Sequence, residues 1–84
     1  MNEKRPGRRR VGLDLDTLRL FEAAVRCGAI SAAAAEQNIA ISAVSRRLSD
    51  LEGRLGTALL YRKVRGVTPT PAGRALLRHA RDIL

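Results

Sequence analysis

Aromatic side chains are almost absent from this 84-residue sequence, which contains one Phe, one Tyr and no Trp. Any hydrophobic core must therefore be built from Leu, Ile, Val and Ala, which suit small, closely packed helices. A chain of this length is expected to form one small domain, burying only about 60% of its unfolded surface. The scarcity of aromatic rings also argues against a surface that stacks the bases of single-stranded RNA.

Cysteine and histidine occur once each, as Cys27 and His79. A single cysteine excludes an internal disulfide and a multi-cysteine metal site. The two residues lie far apart in the sequence, and no third group is suggested that would orient them, so a thiol–imidazole enzyme is not supported. We predict no catalytic residue, no metal ligand and no cofactor. Cys27 is interpreted as a small, half-buried filler, and His79 as an exposed helix residue.

Long apolar runs are also missing, because none approaches the length of about 18 residues that a membrane-spanning helix needs. The basic amino terminus is not followed by an apolar segment, which argues against a signal peptide. Positive charge, in contrast, is in excess: 16 Lys and Arg face 8 Asp and Glu, giving a formal net charge of +8. This balance favours a polyanionic partner, either nucleic acid or an anionic membrane surface. A cytoplasmic location is expected.

The first twelve residues form a separate segment. They are polar, contain Pro6, Gly7 and Gly12, and carry five basic residues against one acidic residue, hence +4 of the net charge. Such a composition does not bury enough apolar surface to order itself. We predict a disordered basic arm over residues 1–12. It either makes an ordered contact with the polyanion or attracts it transiently.

Two helices are predicted to follow. The first runs from Leu13 to Cys27, with Asp14 as its N-cap and Gly28 as its stop. Its apolar face has helical spacing and consists of Leu18, Phe21, Ala24 and Val25. The second helix runs from Ala32 to Asn38 and is capped by Ser31. Its run of four alanines allows another helix to approach closely.

A third helix is predicted from Ile41 to Leu55, ending at Gly56, after a short connection over Ile39–Ile41. Its apolar stripe consists of Val44, Leu48, Leu51 and Leu55. At about 100° per residue, the residues that point away from that stripe are Ser42, Arg46, Ser49 and Gly53. An outward face that is small and polar, with an arginine at its centre, favours a helix that enters a groove of nucleic acid, because bulky side chains would hold it off the base edges.

The last third of the sequence predicts a basic hairpin and a fourth helix. Two short β-tending segments, 60–62 and 67–69, flank a cationic tip over 63–66, where Gly66 tolerates positive φ. Thr70 as N-cap and Pro71 at the first helical position then open the fourth helix. Its apolar stripe is Leu76, Ala80 and Ile83, with Leu77 and Leu84 at the edge. No Gly or Pro stops this helix, so we expect the chain to be a fragment whose stripe packs on something absent from a lone copy.

Helix, short turn, helix and basic hairpin together are the plan of a winged helix-turn-helix domain. Over residues 13–84 the sequence resembles the N-terminal DNA-binding domain of the LysR-type transcriptional regulators. None of the matching segments is specific alone, but all occur in order and at matching spacing. They are LRLF at 18–21, SAAA at 31–34, SAVSRRL at 42–48, DLE at 50–52, LGTALLYR at 55–62, RGV at 65–67 and TPAG at 70–73.

The resemblance implies a mostly α-helical winged helix-turn-helix fold, with a three-helix core and hairpin wing over 13–69 and a linker helix over 70–84. It also implies sequence-specific binding to double-stranded promoter DNA, with the third helix in the major groove and the wing in the minor groove. The partner is a second copy, joined through the linker helices, and a tetramer is an option for the full-length protein. A small-molecule effector would bind only to a domain missing from this chain.

The same resemblance implies roles for individual residues. The expected DNA-binding residues are Ser31, Ile41, Ser42, Ala43, Ser45, Arg46, Arg47, Arg62, Lys63 and Arg65. Among them, Ile41, Ser42, Ser45 and Arg46 are the base-reading positions, Arg65 enters the minor groove, and Arg62 and Lys63 lie near phosphates. The expected dimerisation residues are Leu76, Leu77, Ala80, Ile83 and Leu84.

Three positions depart from the family pattern. Ala40 stands where the third helix usually has a Ser or Thr cap, so that cap bond is either missing or moved to Ser42. Ile41 replaces a polar base reader, and is expected to meet a thymine methyl group instead. Gln37 replaces an apolar residue and should lie at the edge of the core.

Several alternatives stay open from the sequence alone. Arg47 either contacts phosphate or is a solvated cation, whereas Glu52 is expected to pair with a nearby Arg. Other possible functions are a winged helix that docks a protein, a basic RNA-associated or ribosome-associated protein, and an enzyme, which no group of residues supports. The operator sequence, the effector, and the choice between activation and repression are not encoded in any feature of these residues.

Overall fold

A computed structural model describes residues 14–84 of the chain. The predicted arm over 1–12 and the predicted helix start at Leu13 lie outside the described residues. The elements, in chain order, are α1 (Leu15–Cys27), α2 (Ile30–Gln37), α3 (Ile41–Leu55), β1 (Leu60–Lys63), β2 (Gly66–Pro69) and α4 (Pro71–Ile83). Four helices and a two-stranded hairpin in this order form a winged helix-turn-helix fold, as the sequence predicted.

Helix α1 is the centre of the fold. Asp14 caps it by accepting a hydrogen bond of 2.7 Å from the backbone N–H of Thr17, and Gly28 ends it in the left-handed conformation. The helix packs against α2, α3, α4 and β2. The predicted apolar face is therefore too narrow: Leu20 and Ala23 are also buried, because neighbours surround α1 on several sides.

Helix α2 begins two residues earlier than predicted. Its N-cap is Ala29, whose backbone is extended (φ −159°, ψ 142°) and whose side chain gives no cap hydrogen bond. The prediction of Ser31 as the cap is wrong, because Ser31 already lies inside the first helical turn, whereas a cap residue has non-helical backbone angles. The alanine run divides into buried Ala33 and Ala34 and exposed neighbours.

The turn between α2 and α3 is short and closed by its own backbone. Asn38 adopts the left-handed conformation with φ 58°, which Asn tolerates better than most residues. The Ile39 N–H then donates to the Ala34 carbonyl oxygen at 3.0 Å. Gln37, at the end of α2, is half-buried, as expected at the edge of the core.

Helix α3 has the predicted bounds. Its N-cap, Ala40, makes no side-chain hydrogen bond, so the usual cap bond is missing. Val44, Leu48 and Leu51 are buried as predicted. Leu55 is not part of the core: it is 38% exposed, because the last residue of the helix extends past the packed elements.

The wing is an antiparallel hairpin whose strands are each one residue longer than predicted. The pairing runs from Leu60 opposite Pro69 to Lys63 opposite Gly66, with a two-residue turn between the strands. Gly66 has a φ of 149°, and a Cβ built on it would lie 2.1 Å from the Gly28 carbonyl oxygen. The next residue, Val67, donates its N–H to that same oxygen at 2.9 Å. Glycine at position 66 therefore lets β2 dock on the loop between α1 and α2.

Thr70 joins the wing to α4. Its hydroxyl oxygen accepts the Gly73 N–H at 3.0 Å and donates to the Ala58 carbonyl oxygen at 2.7 Å. Its own N–H donates to the Leu59 carbonyl oxygen at 3.0 Å. The predicted cap is confirmed, and the same residue also fixes the start of α4 against the chain that leads into β1.

The buried face of α4 is rotated relative to the predicted stripe. Leu77 and Ala80 are buried in their own chain, Leu76 is half-buried, and Ile83 and Leu84 are 59% and 47% exposed. The predicted stripe of Leu76, Ala80 and Ile83 was expected to pack on something absent from a lone copy. Ala80 is instead covered by its own chain, whereas Ile83 is exposed, and its contact with a partner stays a prediction. Within residues 14–84, no helix combines the length and apolar character needed to cross a membrane.

Candidate nucleic-acid interface

The face of α3 opposite the core is small, polar and cationic. Ser42, Arg46 and Ser49 are exposed there, and Ser45 is half-buried. Ala43 is half-buried at the edge of this face, and Ile41 is 55% exposed at the first helical position. Since no side chain caps this end of α3, its first backbone N–H groups keep their positive partial charge. The N-terminus of α3, which has no side-chain cap, thus lies next to an outer face made of small side chains.

The wing and the start of α2 enclose a shallow cleft of about 300 Å³. Its wall on the α2 side is Ala29–Ser31, and its wall on the wing side is 62–67. Ser31 is exposed here, together with the exposed cations Arg62, Lys63 and Arg65. The structure therefore brings together one hydroxyl and the cations Lys63 and Arg65, which the sequence separates by about 30 residues, an arrangement suited to a phosphate-bearing ligand. The third cation, Arg62, is paired with Glu52.

Arg47 lies on a different side of α3 from this cleft. It lines the space between α3 and the start of α1, together with Asp14, Asp16 and Asp50. The Thr17 N–H hydrogen bond is the main cause that lowers the pKa of Asp14, and the positive charge of Arg47 lowers it further. The side chain of Arg47 is thus next to acidic groups of its own chain.

Glu52 connects α3 to the start of the wing. Its Oε2 atom accepts the backbone N–H groups of Leu59 at 2.7 Å and Leu60 at 3.1 Å, and its Oε1 atom accepts from Nη2 of Arg62 at 3.1 Å. Burial raises the pKa of this carboxyl, but the three hydrogen bonds outweigh it and leave the pKa below its ordinary value. The predicted pairing with an arginine is confirmed. The two backbone bonds were missed, because no sequence signal shows which N–H groups a carboxylate reaches.

Two arginines of α1 are paired with acidic residues away from the wing. Arg26 donates to Glu22 at 3.0 Å and to Glu36 at 2.8 Å, and the hydrogen bond between Arg26 and Glu36 lowers the pKa of Glu36 to about 2. Arg19 pairs with Asp16 at 3.3 Å. Within residues 14–84, no ion pair involves Arg46, Lys63 or Arg65. Exposed cations without an ion pair among these residues therefore lie on the outer face of α3 and at the tip of the wing, and also at Arg54 and along α4 at Arg74, Arg78 and Arg81.

The remaining candidate residues do not form a second site. Cys27 is half-buried and His79 is exposed, as predicted. Across the described part of the chain, no group of three or more His, Cys, Asp or Glu side chains is arranged to hold a metal ion. The cationic surface formed by α3 and the wing is therefore the candidate for function.

Comparison with protein families gives one match over most of the chain. The family model described as bacterial regulatory helix-turn-helix protein, lysR family, matches residues 15–74. A transcriptional regulator of Sinorhizobium fredii, y4mQ, is 50% identical over 66 residues, which cover 79% of this chain and 22% of that regulator. The nitrogen assimilation regulatory protein nac of Klebsiella aerogenes is 43% identical over 72 residues, which cover 86% of this chain and 24% of nac.

Solved structures of DNA-binding domains share the fold. The complex of the CbnR DNA-binding domain with DNA superposes with a TM-score of 0.81 and 35% identity, covering 84% of this chain and 82% of that chain. The BenM DNA-binding domain on its benA site 1 DNA superposes with a TM-score of 0.80 and 35% identity, covering 84% of this chain and 83% of that chain. Full-length CbnR with its target DNA superposes with a TM-score of 0.80 and 35% identity, covering 84% of this chain but 25% of that chain. The chain thus spans about a quarter of the length of the full-length relatives it matches.

Replacement of Glu52 by Gln is expected to lower the free energy of unfolding by about 1–3 kcal/mol at neutral pH, because charged hydrogen bonds to partly buried N–H groups are weakened. The pKa of Glu52 is lowered in the folded state, so its contribution is complete above the ordinary carboxyl value and is lost as the pH falls through the folded pKa. Urea unfolding curves recorded between pH 7 and pH 3 will measure this difference.

The matched control is Glu36→Gln, which makes the same change at an exposed ion pair. This variant is expected to lose less stability at neutral pH, since an exposed pair contributes little. Equal losses for the two variants, or a Glu52→Gln difference that does not shrink at low pH, would contradict the assignment of Glu52 as the connection between α3 and the wing.

Proposed function

The chain belongs to the lysR family of bacterial regulatory helix-turn-helix proteins, and we propose that it binds double-stranded promoter DNA sequence-specifically, as the DNA-binding part of a longer transcription regulator. In this proposal α3 is the recognition helix and lies in the major groove, while the hairpin is the wing and reaches the minor groove. The small-molecule effector is sensed by a part of the protein other than these residues.

The observation that carries the proposal is an exposed arginine on a helix face made of small side chains. Arg46 is exposed on the side of α3 opposite Val44 and Leu48, among small side chains that allow a close approach to base edges. Arginine bonds the O6 and N7 atoms of guanine with two hydrogen bonds. We therefore propose that Arg46 reads a base, with Ser42 and Ser45 as neighbouring contacts along the same face.

The cleft between α2 and the wing supplies the backbone contacts in this proposal. Ser31 and Lys63 bind phosphates, and Arg65 at the wing tip enters the minor groove, where a narrow A·T-rich groove attracts arginine. We assign Arg47 no base contact, because it lies beside Asp14 and Asp50 rather than on the outer face of α3.

We also propose that two copies bind together, through the apolar surface that α4 leaves uncovered. Ile83 and Leu84 are exposed at the end of this helix, and the half-buried Leu76 lies on the same element. A second α4 would cover this surface, since exposed apolar area is what drives such association. Leu77 and Ala80 support the helix from inside their own chain.

Removal of the Arg46 side chain tests the reading role. A site is first selected from a random duplex library with this chain, and Arg46→Ala is then titrated against that site and a scrambled version. The variant should lose about 1–3 kcal/mol of binding free energy on the selected site, and much less on the scrambled DNA. Electrophoretic or anisotropy titration measures both affinities.

The charge-matched control is Arg78→Ala, which removes an exposed arginine from α4 instead. It should change the two affinities by a similar small factor. If Arg46→Ala also weakens binding to the selected and the scrambled DNA equally, Arg46 contacts only phosphate. If the unaltered chain binds an RNA of the same sequence as tightly as the DNA, the proposal of duplex DNA as the partner fails.

Ile41 provides a separate test of major-groove reading. Its side chain is 55% exposed at the start of α3, and we propose that it contacts the methyl group of a thymine. Exchange of each thymine of the selected site for deoxyuridine, one at a time, removes only that methyl group. One exchange should weaken binding of the unaltered chain but not of Ile41→Ser. If no exchange separates the two proteins, Ile41 does not read thymine.

Ile83→Asp tests the proposed dimer surface. A carboxylate in the centre of an apolar contact is costly to bury, so sedimentation equilibrium should show a weaker concentration-dependent dimer, with an unchanged helical circular dichroism spectrum. Arg81→Asp, at an exposed position of the same helix, is the control and should leave the dimer intact. A strict monomer for the unaltered chain at high concentration would mean that another part of the protein holds the two copies together.

A further inference from the structure

The wing carries three cations, Arg62, Lys63 and Arg65, and Arg62 differs from the other two in its contacts with the rest of the domain. Arg62 follows the buried Leu60 by two residues and lies opposite the buried Val67 in the hairpin register. Side chains two apart on a strand, and directly opposed across a pair, share a face. The side chain of Arg62 therefore lies on the core-facing side of the hairpin, whereas that of Lys63, the next residue, lies on the opposite side.

The guanidinium group of Arg62 ends on α3. Its Nη2 atom donates to Oε1 of Glu52 at 3.1 Å and lies 3.4 Å from Oγ of Ser49. Glu52 is the more enclosed member of the pair, with 17% of its side chain exposed against 37% for Arg62. A move of Arg62 to a phosphate would leave this carboxylate without its counter-charge, and an enclosed charge that loses its partner is destabilising.

The carboxylate of Glu52 also binds the chain where β1 of the wing begins. The Leu59 and Leu60 N–H groups bind Oε2 of Glu52, and Arg62, two residues further along β1, binds Oε1. A two-stranded hairpin is marginal without support, and two attachment points along one strand restrict its rotation where a single point would not. On the other strand, Val67 is fixed to Gly28.

We infer that Arg62 is a positioning residue rather than a phosphate ligand: through Glu52 and Ser49 it sets the angle between the wing and α3. This inference rests on the proposed function, because the angle matters only if α3 and the wing contact one DNA duplex. The angle then determines whether Arg65 reaches the minor groove that flanks the base pairs read by α3, and hence how strongly A·T-rich flanks are preferred.

The experiment compares Arg62→Met with Lys63→Met, each of which removes one positive charge from β1 and keeps an unbranched side chain. Both are titrated, over a series of salt concentrations, against the selected site with A·T-rich flanks and with G·C-rich flanks. The flank ratio is the affinity for the site with A·T-rich flanks divided by the affinity for the site with G·C-rich flanks. Arg65→Met gives the flank ratio that remains when the arginine at the wing tip is removed. Thermal unfolding by circular dichroism confirms that each variant is folded at the titration temperature.

For Arg62→Met we expect the slope of log affinity against log salt to equal that of the unaltered chain, and the flank ratio to fall towards that of Arg65→Met. If Arg62 were a phosphate ligand, its removal would instead reduce the magnitude of the slope by about 0.9 for each phosphate that it neutralises, and any such reduction overturns the inference. Retention of the full flank ratio overturns it as well.

Glu52→Gln gives an independent test, because it removes a negative charge and releases Arg62. Positioning predicts a lower flank ratio for this variant, like that of Arg62→Met. A phosphate role for Arg62 predicts tighter binding with the ratio retained, which overturns the inference. Failure of the proposed function is distinguishable from all of these results, since the unaltered chain would then bind the selected and the scrambled sites equally, before any variant is compared.

Discussion

The carboxylate of Glu52 is the interaction on which the geometry of this domain depends. Helix α3 and the wing come from different parts of the chain, and a two-stranded hairpin has little stability of its own. Glu52 satisfies two backbone N–H groups at the entry to β1 and pairs with Arg62, so one side chain defines where the wing begins relative to α3. The hydrogen bonds also keep its pKa low, which leaves this connection charged throughout the neutral range.

Local signals in the sequence are sufficient for most of the fold. Asp14, Thr70 and Pro71 mark helix starts, and Gly28 and Gly56 mark helix ends, because each choice satisfies a specific backbone requirement at a helix terminus. The spacing of apolar residues on α3 locates its buried and outer faces, because residues three and four apart lie on the same side of a helix. These features are set by neighbours within one or two turns, so the sequence contains all the information needed to predict them.

The predictions that failed depend on long-range packing. Ser31 has the residue type of a cap, but the extended backbone of Ala29 starts α2 earlier. Packing against α1 buries Leu77, which the apolar spacing placed only at the edge of the stripe. Likewise, the cleft that joins Ser31 to the wing exists only because Val67 docks on Gly28. No local pattern encodes such contacts between distant segments.

Ion pairs distinguish two kinds of cation on the wing, which the net charge does not. An excess of +8 is consistent with a positive patch anywhere on the surface, and two of the arginines, Arg19 and Arg26, are already paired with acids of α1 and α2. Arg46 and Arg65 are not paired within the described residues, and neither are the exposed arginines of α4, so it is their place on α3 and on the wing that makes them the proposed DNA contacts. Arg62 lies on the wing as well, but it is paired with Glu52 of α3. The wing therefore combines two kinds of cation: one fixes the hairpin to α3, and the others remain free to meet an anionic ligand. A count of basic residues in the sequence treats them alike, and only their partners in the fold distinguish them.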